Sequence, residues 1–416
     1  MADGSLSPVS RPAWQRILGV YLASRVITTT LMLLSAAIAP AWGRHGAEAT
    51  PLDYAVAWDG AWYREIALFG YPTELPRGED GMVTQNAWAF MPLFPMIARG
   101  AAALIPGARP GADDVWAVAN AWAGCAVAIA LVSGYAVCVL LHALLAPRIG
   151  DRSAMFAVAL VAFGPLAAMF QVAYAESMFL ALLLAALLCV QRRRWAPLYA
   201  LVPAMGFTRP GVLAFALALA LVGLSRLRHR RVDPILRSEV GHVLAIGALA
   251  TAVGFAWPAI VGRVTGEADG YLATELSWRR TWVGDAAEGF LPAEGWLQAA
   301  DAWAGVWGIP AWAGYALLVL LLAGAIAALS SRPVRALGVE VHAWGAAYAI
   351  YLLLVFFPQS SVFRLLFPLA PLAGAIAVAT ARSVRARYLV FAGGILAQGT
   401  WITAMYGYGH TFWLVP

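Results

Sequence analysis

Residues 115–146 read VWAVANAWAGCAVAIALVSGYAVCVLLHALLA, 32 positions without an Asp, Glu, Lys or Arg. A helix rises about 1.5 Å per residue and a bilayer core is about 30 Å thick, so this run can cross with residues to spare. Asp113-Asp114 precedes it and Pro147-Arg148 follows it, which puts acids at one end and an arginine at the other. Nine further apolar runs flank it, at about 15–40, 153–172, 174–191, 195–224, 240–262, 309–330, 341–357, 362–381 and 388–408. Each is long enough to cross, most with some tilt.

Composition carries the same message. The 416 residues are 62% hydrophobic and 12% charged, against about 25% charged in a soluble domain, and the mean hydropathy is +0.73. Such a chain cannot cover a water-facing surface, so it reads as an all-α polytopic membrane protein. Secreted, disordered and nucleic-acid-binding classes are excluded despite the net charge of +6. All 28 basic residues are arginine, a usage that fits a GC-rich genome and says little about function. Cys125, Cys138 and Cys189 lie in apolar stretches, with no disulfide framework or metal-ligand spacing. Ile17–Ala41 is longer than a signal-peptide core of about 7–15 residues, so it reads as an uncleaved first membrane helix despite Ala39-Pro40-Ala41.

Arginine placement orients the runs. The N-terminal tail and the connections near 147–152, 192–194, 225–239, 331–340 and 382–387 hold 17 arginines against five acids. Segments 41–114 and 262–308 hold eight against 16. The first set is predicted to be cytoplasmic. Both ends of 195–224 are then inside, so it is expected to be a hairpin turning at Gly206-Phe207-Thr208-Arg209-Pro210. The moderately apolar 88–105 must lie on the outer surface. The expected result is one membrane domain, 1–416, of about 11 segments with the N-terminus inside, the C-terminus outside, and two long outer loops (41–114 and 262–308). Long loops in a compact protein are usually functional. Both are rich in Trp, which suits either an interfacial belt or platforms that stack sugar rings.

The chemistry-bearing stretches are few. In Trp58-Asp59-Gly60-Ala61-Trp62-Tyr63-Arg64-Glu65-Ile66-Ala67-Leu68-Phe69-Gly70-Tyr71, Trp62, Ile66 and Phe69 share one apolar face of a surface helix. Asp59 stands at an N-cap-like position, where it either caps or acts chemically. Asn86–Pro95, with Pro92 and Pro95 three apart, opens a second surface helix running to Ile105. Tyr174-Ala175-Glu176-Ser177-Met178-Phe179 starts a membrane helix, its glutamate either a helix-terminus charge or a cavity residue. Arg25, Arg209 and Arg364, the last just after Pro358-Gln359-Ser360-Ser361, fall inside membrane segments. An arginine at mid-helix costs roughly 2.5–3.5 kcal/mol to insert, so each must snorkel, pair or serve a function. Acids within the helices are almost absent, so an anionic ligand is an economical counter-ion, and the guanidinium fork suits phosphate. No nucleotide or zinc motif occurs, and Asp113-Asp114 and Glu79-Asp80 read as solvated loop charges. His410, in Tyr408-Gly409-His410-Thr411-Phe412, ends the last helix.

These stretches resemble the PIG-V family, the eukaryotic GPI mannosyltransferase II and its bacterial relatives, within the GT-C membrane glycosyltransferases. The resemblance lies in Trp58-Asp59 with Tyr63, Ile66-Ala67 and Gly70-Tyr71; in Ala89-Phe90-Met91-Pro92-Leu93-Phe94-Pro95, similar to A-F-F-P-x-[FY]-P; in Tyr174–Phe179, similar to Y-[ST]-E-[SA]-[LM]-F; and in Thr208–Val212, similar to R-[SP]-x-G. It covers about residues 15–225, with departures at Met91 and at the insertion-like Thr73–Val83. It implies inverting transfer of mannose from a polyprenyl-phosphate-mannose donor to a hydroxyl of a glycolipid, polymer or protein acceptor. The partners implied are those substrates and membrane lipids, with no nucleotide sugar, cofactor, metal or nucleic acid. The site would face outward from a bacterial plasma membrane. Asp59 would be the general base; Arg364 first, then Arg209 or Arg25, would hold the donor phosphate. Trp58, Tyr63, Tyr71, Tyr174, Glu176, Gln359 and His410 would bind substrate. The rival readings are a lipid or polyprenyl-phosphate transporter or flippase, and a GT-C transferase of a different sugar; the transporter is the chief rival. It calls for broken helices in both halves, of which the sequence offers one clear case, the 195–224 hairpin.

Overall fold

The computed structural model describes residues 12–108, 114–284 and 289–409. Among them the chain is helical, with one isolated bridge between Arg77 and Val83 and no strand. The elements run α1 Ala13–Ala37, α2 Pro51–Ala55, α3 Asp59–Phe69, α4 Leu93–Ala102, α5 Val115–Ile149 and α6 Asp151–Ala162. They continue with α7 Glu176–Gln191, α8 Leu198–Gly206, α9 Val212–Arg228, α10 Arg237–Thr265, α11 Gly270–Val283 and α12 Glu294–Trp307. The last are α13 Ala311–Leu329, α14 Arg332–Arg335, α15 Val339–Val355, α16 Val362–Leu365, α17 Ala373–Ala379 and α18 Val384–Ile402.

Five helices are long and apolar enough to cross a membrane: α1, α5, α10, α13 and α18 with the π turn that extends it to Tyr408. They present apolar side chains outward, with Trp312 and Leu320 on α13 and Val384 and Leu396 on α18 among the most exposed. In water such a surface would aggregate; in lipid it is the solvated side. The chain is an integral membrane protein. Its core gathers on α5, α6, α7, α9 and α15, where Leu141, Val158, Phe179, Phe215, Trp344 and Tyr348 are buried. The ten residues of α4 rise about 15 Å, half a bilayer core, so this element cannot cross alone.

Two runs expected to be continuous are broken. The run at 153–172 ends as α6 at Ala162, before Gly164-Pro165, and resumes only as a 3-10 turn at Ala167–Gln171. The run at 362–381 is the single turn α16, a 3-10 stretch Phe367–Leu372 carrying Pro368 and Pro371, and α17. Proline removes a backbone donor and clashes with the preceding turn, which apolarity alone does not reveal. A third break, Phe207–Gly211, separates α8 from α9. The first break leads into Glu176 at the start of α7, the second carries Arg364 and the third carries Arg209.

Candidate active site

Asp59 is the first residue of α3 rather than its N-cap, and no side chain caps that helix. The N-cap is Trp58, whose φ of 51° and ψ of −118° lie in territory normally left to glycine. Such strain costs about 1–3 kcal/mol and persists only where the surroundings impose it. Here the indole Nε1 donates to the Met405 carbonyl at 2.9 Å, and the Arg44 guanidinium sits 3.9 Å over the ring. The α2–α3 turn docks on the broken stretch before α7: the Ala173 amide donates to the Ala55 carbonyl at 2.7 Å. A Cβ on Gly60 would come within 3.6 Å of the Ala173 carbonyl and the Tyr174 ring, so a small residue after Asp59 permits this approach.

That docking assembles four charges from four parts of the chain. Asp59 pairs with Arg364 of α16. Arg209, in the α8–α9 break, forms an ion pair with Glu176, its Nη1 2.8 Å from Oε1, and Arg364 Nε lies 3.7 Å from the same oxygen. Glu176 is 2% exposed and its Oε2 has no hydrogen-bond partner among the described residues. Burial pushes the Asp59 carboxyl up, Arg364 pulls it back, Glu176 pushes it up again, and the balance is upward. The Arg364 guanidinium also lies 5.6 Å from the Tyr174 ring centre, and Tyr174 hydrogen-bonds Tyr406. A narrow, open cleft lies beside this cluster. Trp58, Asp59, Tyr174, Arg364, Trp401 and Tyr406 line it.

The structure therefore corrects the picture of uncompensated arginines. Arg364 and Arg209 are paired with the two acids, as buried charges must be. Arg25 does not join them. Its Nη1 donates to the Ala167 carbonyl at 2.8 Å and to Gln171, and its Nη2 donates to the Ala162 carbonyl at 2.9 Å. It thus ties together the ends of the α6 break, where carbonyls have lost their helical partners. Tyr71 is elsewhere as well, stacked 4.5 Å from Trp88 with its hydroxyl donating to the Phe90 carbonyl at 2.8 Å. Tyr63 is buried against Phe90 and Phe94, near enough to Asp59 and Glu176 to feel their charge. Gln359 lies on the segment that carries Arg364, its buried Oε1 without a hydrogen bond among the described residues. His410 and Asp113 lie outside the described residues.

Sequence reasoning passed over Arg44, Trp401, Met405 and Tyr406. Arg44 makes no ion pair among the described residues, and burial lowers its pKa with only Tyr174 opposing. Its one signal was a short polar stretch, Gly43-Arg44-His45-Gly46, ahead of Trp58-Asp59. Among the described residues no group of three His, Cys, Asp or Glu is placed to hold a metal ion.

No protein-family model matches the chain, and no curated protein matches it either. Among solved structures, the chain is similar to the oligosaccharyltransferase of Archaeoglobus fulgidus in complex with Zn and sulfate, at 13% identity and a TM-score of 0.43, over 94% of this chain and 53% of that one. It is similar to the oligosaccharyltransferase AglB of the same archaeon in complex with an inhibitory peptide and a dolichol-phosphate, at 13% identity and a TM-score of 0.46, over 94% and 56%. A third structure, that enzyme tethered to an acceptor peptide, matches at 14% identity and a TM-score of 0.41, over 94% and 55%. The chain spans about half the length of these structures.

Proposed function

We propose that this chain is a GT-C-type membrane mannosyltransferase that takes mannose from a polyprenyl-phosphate-mannose donor and delivers it, with inversion, to an acceptor hydroxyl at the outer face. The observation that carries the reading is the Asp59–Arg364 pair beside the cleft, on a helix that Asp59 does not cap. An acid and a phosphate-binding cation in direct contact are the two groups that glycosyl transfer from a lipid phosphate requires. Donor phosphate competes with Asp59 for Arg364, and Arg44 adds positive charge at the wall of the cleft. Freed from its partner, Asp59 becomes a stronger base. It takes the acceptor proton as the acceptor oxygen forms a bond to the anomeric carbon. The bond from that carbon to the phosphate oxygen breaks on the opposite face, and its electron pair leaves with the phosphate, held by Arg364. The products are the inverted glycoside and polyprenyl phosphate.

Purified protein incubated with labelled polyprenyl-phosphate mannose and fractionated lipid and protein acceptors tests this reading. Transfer of label in the wild type, lost in Asp59→Asn, is the expected result. A polyprenyl-phosphate glucose arm reads the sugar preference. The transporter reading is favoured by one observation, the breaks at Gly164–Ala175 and Phe356–Leu372 in opposite halves of the chain. Label that crosses a vesicle membrane while still attached to its lipid would decide for transport.

A further inference from the structure

Beyond the cleft, Asp59 borders a second set of groups. Trp62 follows it by three residues on α3, so the two share a helix face. The Trp62 ring lies 5.8 Å from Phe90 at an interplanar angle of 17°, and 6.1 Å from Trp278 edge-on. Phe90 meets Trp278 edge-on at 5.9 Å. All three rings are only half-buried, so each keeps part of its surface open. Trp278 belongs to α11, in the second outer loop, and Glu275 stands three residues before it on the same helix. Glu275 is solvent-exposed, yet enclosed by enough protein that burial pushes its carboxyl up to about 7. A carboxylate that is wet and walled in lines a recess. Its neighbours are Tyr271, whose side chain hydrogen-bonds it, Tyr351 of α15, and Asp59, whose charge reaches it. None of these groups, Asp59 apart, lines the cleft beside Arg364.

We infer that this recess is an acceptor subsite for a pyranose ring, with Trp62 and Trp278 against its C–H face and Glu275 accepting hydrogen bonds from vicinal hydroxyls. The inference rests on Asp59 being the base, and it selects a glycolipid or polysaccharide acceptor over a protein one. A sugar ring has an apolar face and a polar rim, and this recess offers both surfaces. Aromatic faces are electron-rich and attract polarised C–H groups. A carboxylate accepts stronger hydrogen bonds from hydroxyls than a neutral group does. A seryl or threonyl peptide presents no flat C–H face to the indoles. The site also spans both outer loops, so a ring held on α11 is offered to the base on α3.

The test uses the full chain in detergent with polyprenyl-phosphate mannose as donor. Octyl α-mannopyranoside and a Ser/Thr peptide serve as alternative acceptors. Trp278→Ala and Glu275→Gln should each raise KM for the glycoside about tenfold, a loss of ~1.4 kcal/mol, with donor KM within about twofold. Trp278→Phe, which keeps a ring, should restore most of the affinity. In the wild type, KM for the glycoside should fall as pH rises through about 7, where Glu275 ionises, and Glu275→Gln should flatten that profile. The subsite is overturned if the wild type transfers to the glycoside and both variants keep its KM, or if the peptide is the better acceptor. A wild type that consumes no donor with either acceptor overturns the transferase reading and the subsite with it.

Discussion

An aspartate in the first turn of a helix ordinarily turns its carboxylate to the helix's own N–H groups, for about 1 kcal/mol. The Asp59 carboxylate instead meets Arg364, so capping does not explain it. Asn and Asp cap about equally, whereas an amide cannot take a proton as a base, and such bases contribute about 10²–10⁴-fold. Asp59→Asn should therefore insert normally, bind donor and lose at least roughly a hundredfold in transfer, read as kcat with labelled donor. Because burial raises the Asp59 carboxyl, the base is lost as pH falls through a point above the ordinary carboxylate range. The acidic limb of the wild-type kcat profile should lie there. Arg364→Ala strands Asp59, and breaking a buried pair costs about 3–5 kcal/mol. Arg364→Lys keeps the charge without the fork, so it should fold and retain partial transfer with a raised donor KM. Wild-type kinetics in Arg364→Lys and Arg364→Ala alike would remove Arg364 from the site.

The breaks at Gly164–Ala175 and Phe356–Leu372 place the site, and neighbouring elements hold them. Arg25 of α1 satisfies the Ala162 and Ala167 carbonyls. Arg25→Gln leaves buried carbonyls unpartnered at about 1–3 kcal/mol each. Its expected effect is a lower melting temperature in detergent with unchanged donor KM; a large rise in donor KM would return Arg25 to the phosphate site. On the other side, α12 grips the segment that leads to Arg364. Trp296 Nε1 donates to the Leu352 carbonyl at 2.9 Å and Trp303 Nε1 to the Pro358 carbonyl at 2.8 Å. Gly295 packs so closely that a Cβ there would meet the Phe356 carbonyl oxygen at 2.6 Å. Gly295→Ala should shift that segment and lower kcat several-fold through misplaced Arg364, an effect on the order of 1 kcal/mol. Full activity in that variant would show that α12 does not position the arginine.

Taken whole, the chain carries its arginines on one set of connections and its acids on the other. With N-in orientation, Gly78 is outside and Arg228 inside. In a chain cleared of Cys125, Cys138 and Cys189, Gly78→Cys should label from outside and Arg228→Cys only after permeabilisation; labelling of both from one side would overturn the orientation. Membrane character and helical class were legible because each depends on composition and local run length. Asp59, Glu176, Arg209 and Arg364 were legible as candidates because charge beside or within apolar sequence is costly wherever it ends up. Their pairing was not legible. Asp59 meets Arg364 only because the runs at 153–172 and 362–381 break and α2–α3 docks on Ala173, and apolarity is blind to such breaks. For the same reason Arg25 read as a second candidate behind Arg364, Arg44 was marked only by its short polar stretch, and Tyr406 and Glu275 carried no signal. Sequence by itself determined the solvent this protein lives in and the short list of costly charges. Only the tertiary structure decided which charges neutralise one another, because Coulomb attraction depends on distance in space and these partners are brought together by long-range packing.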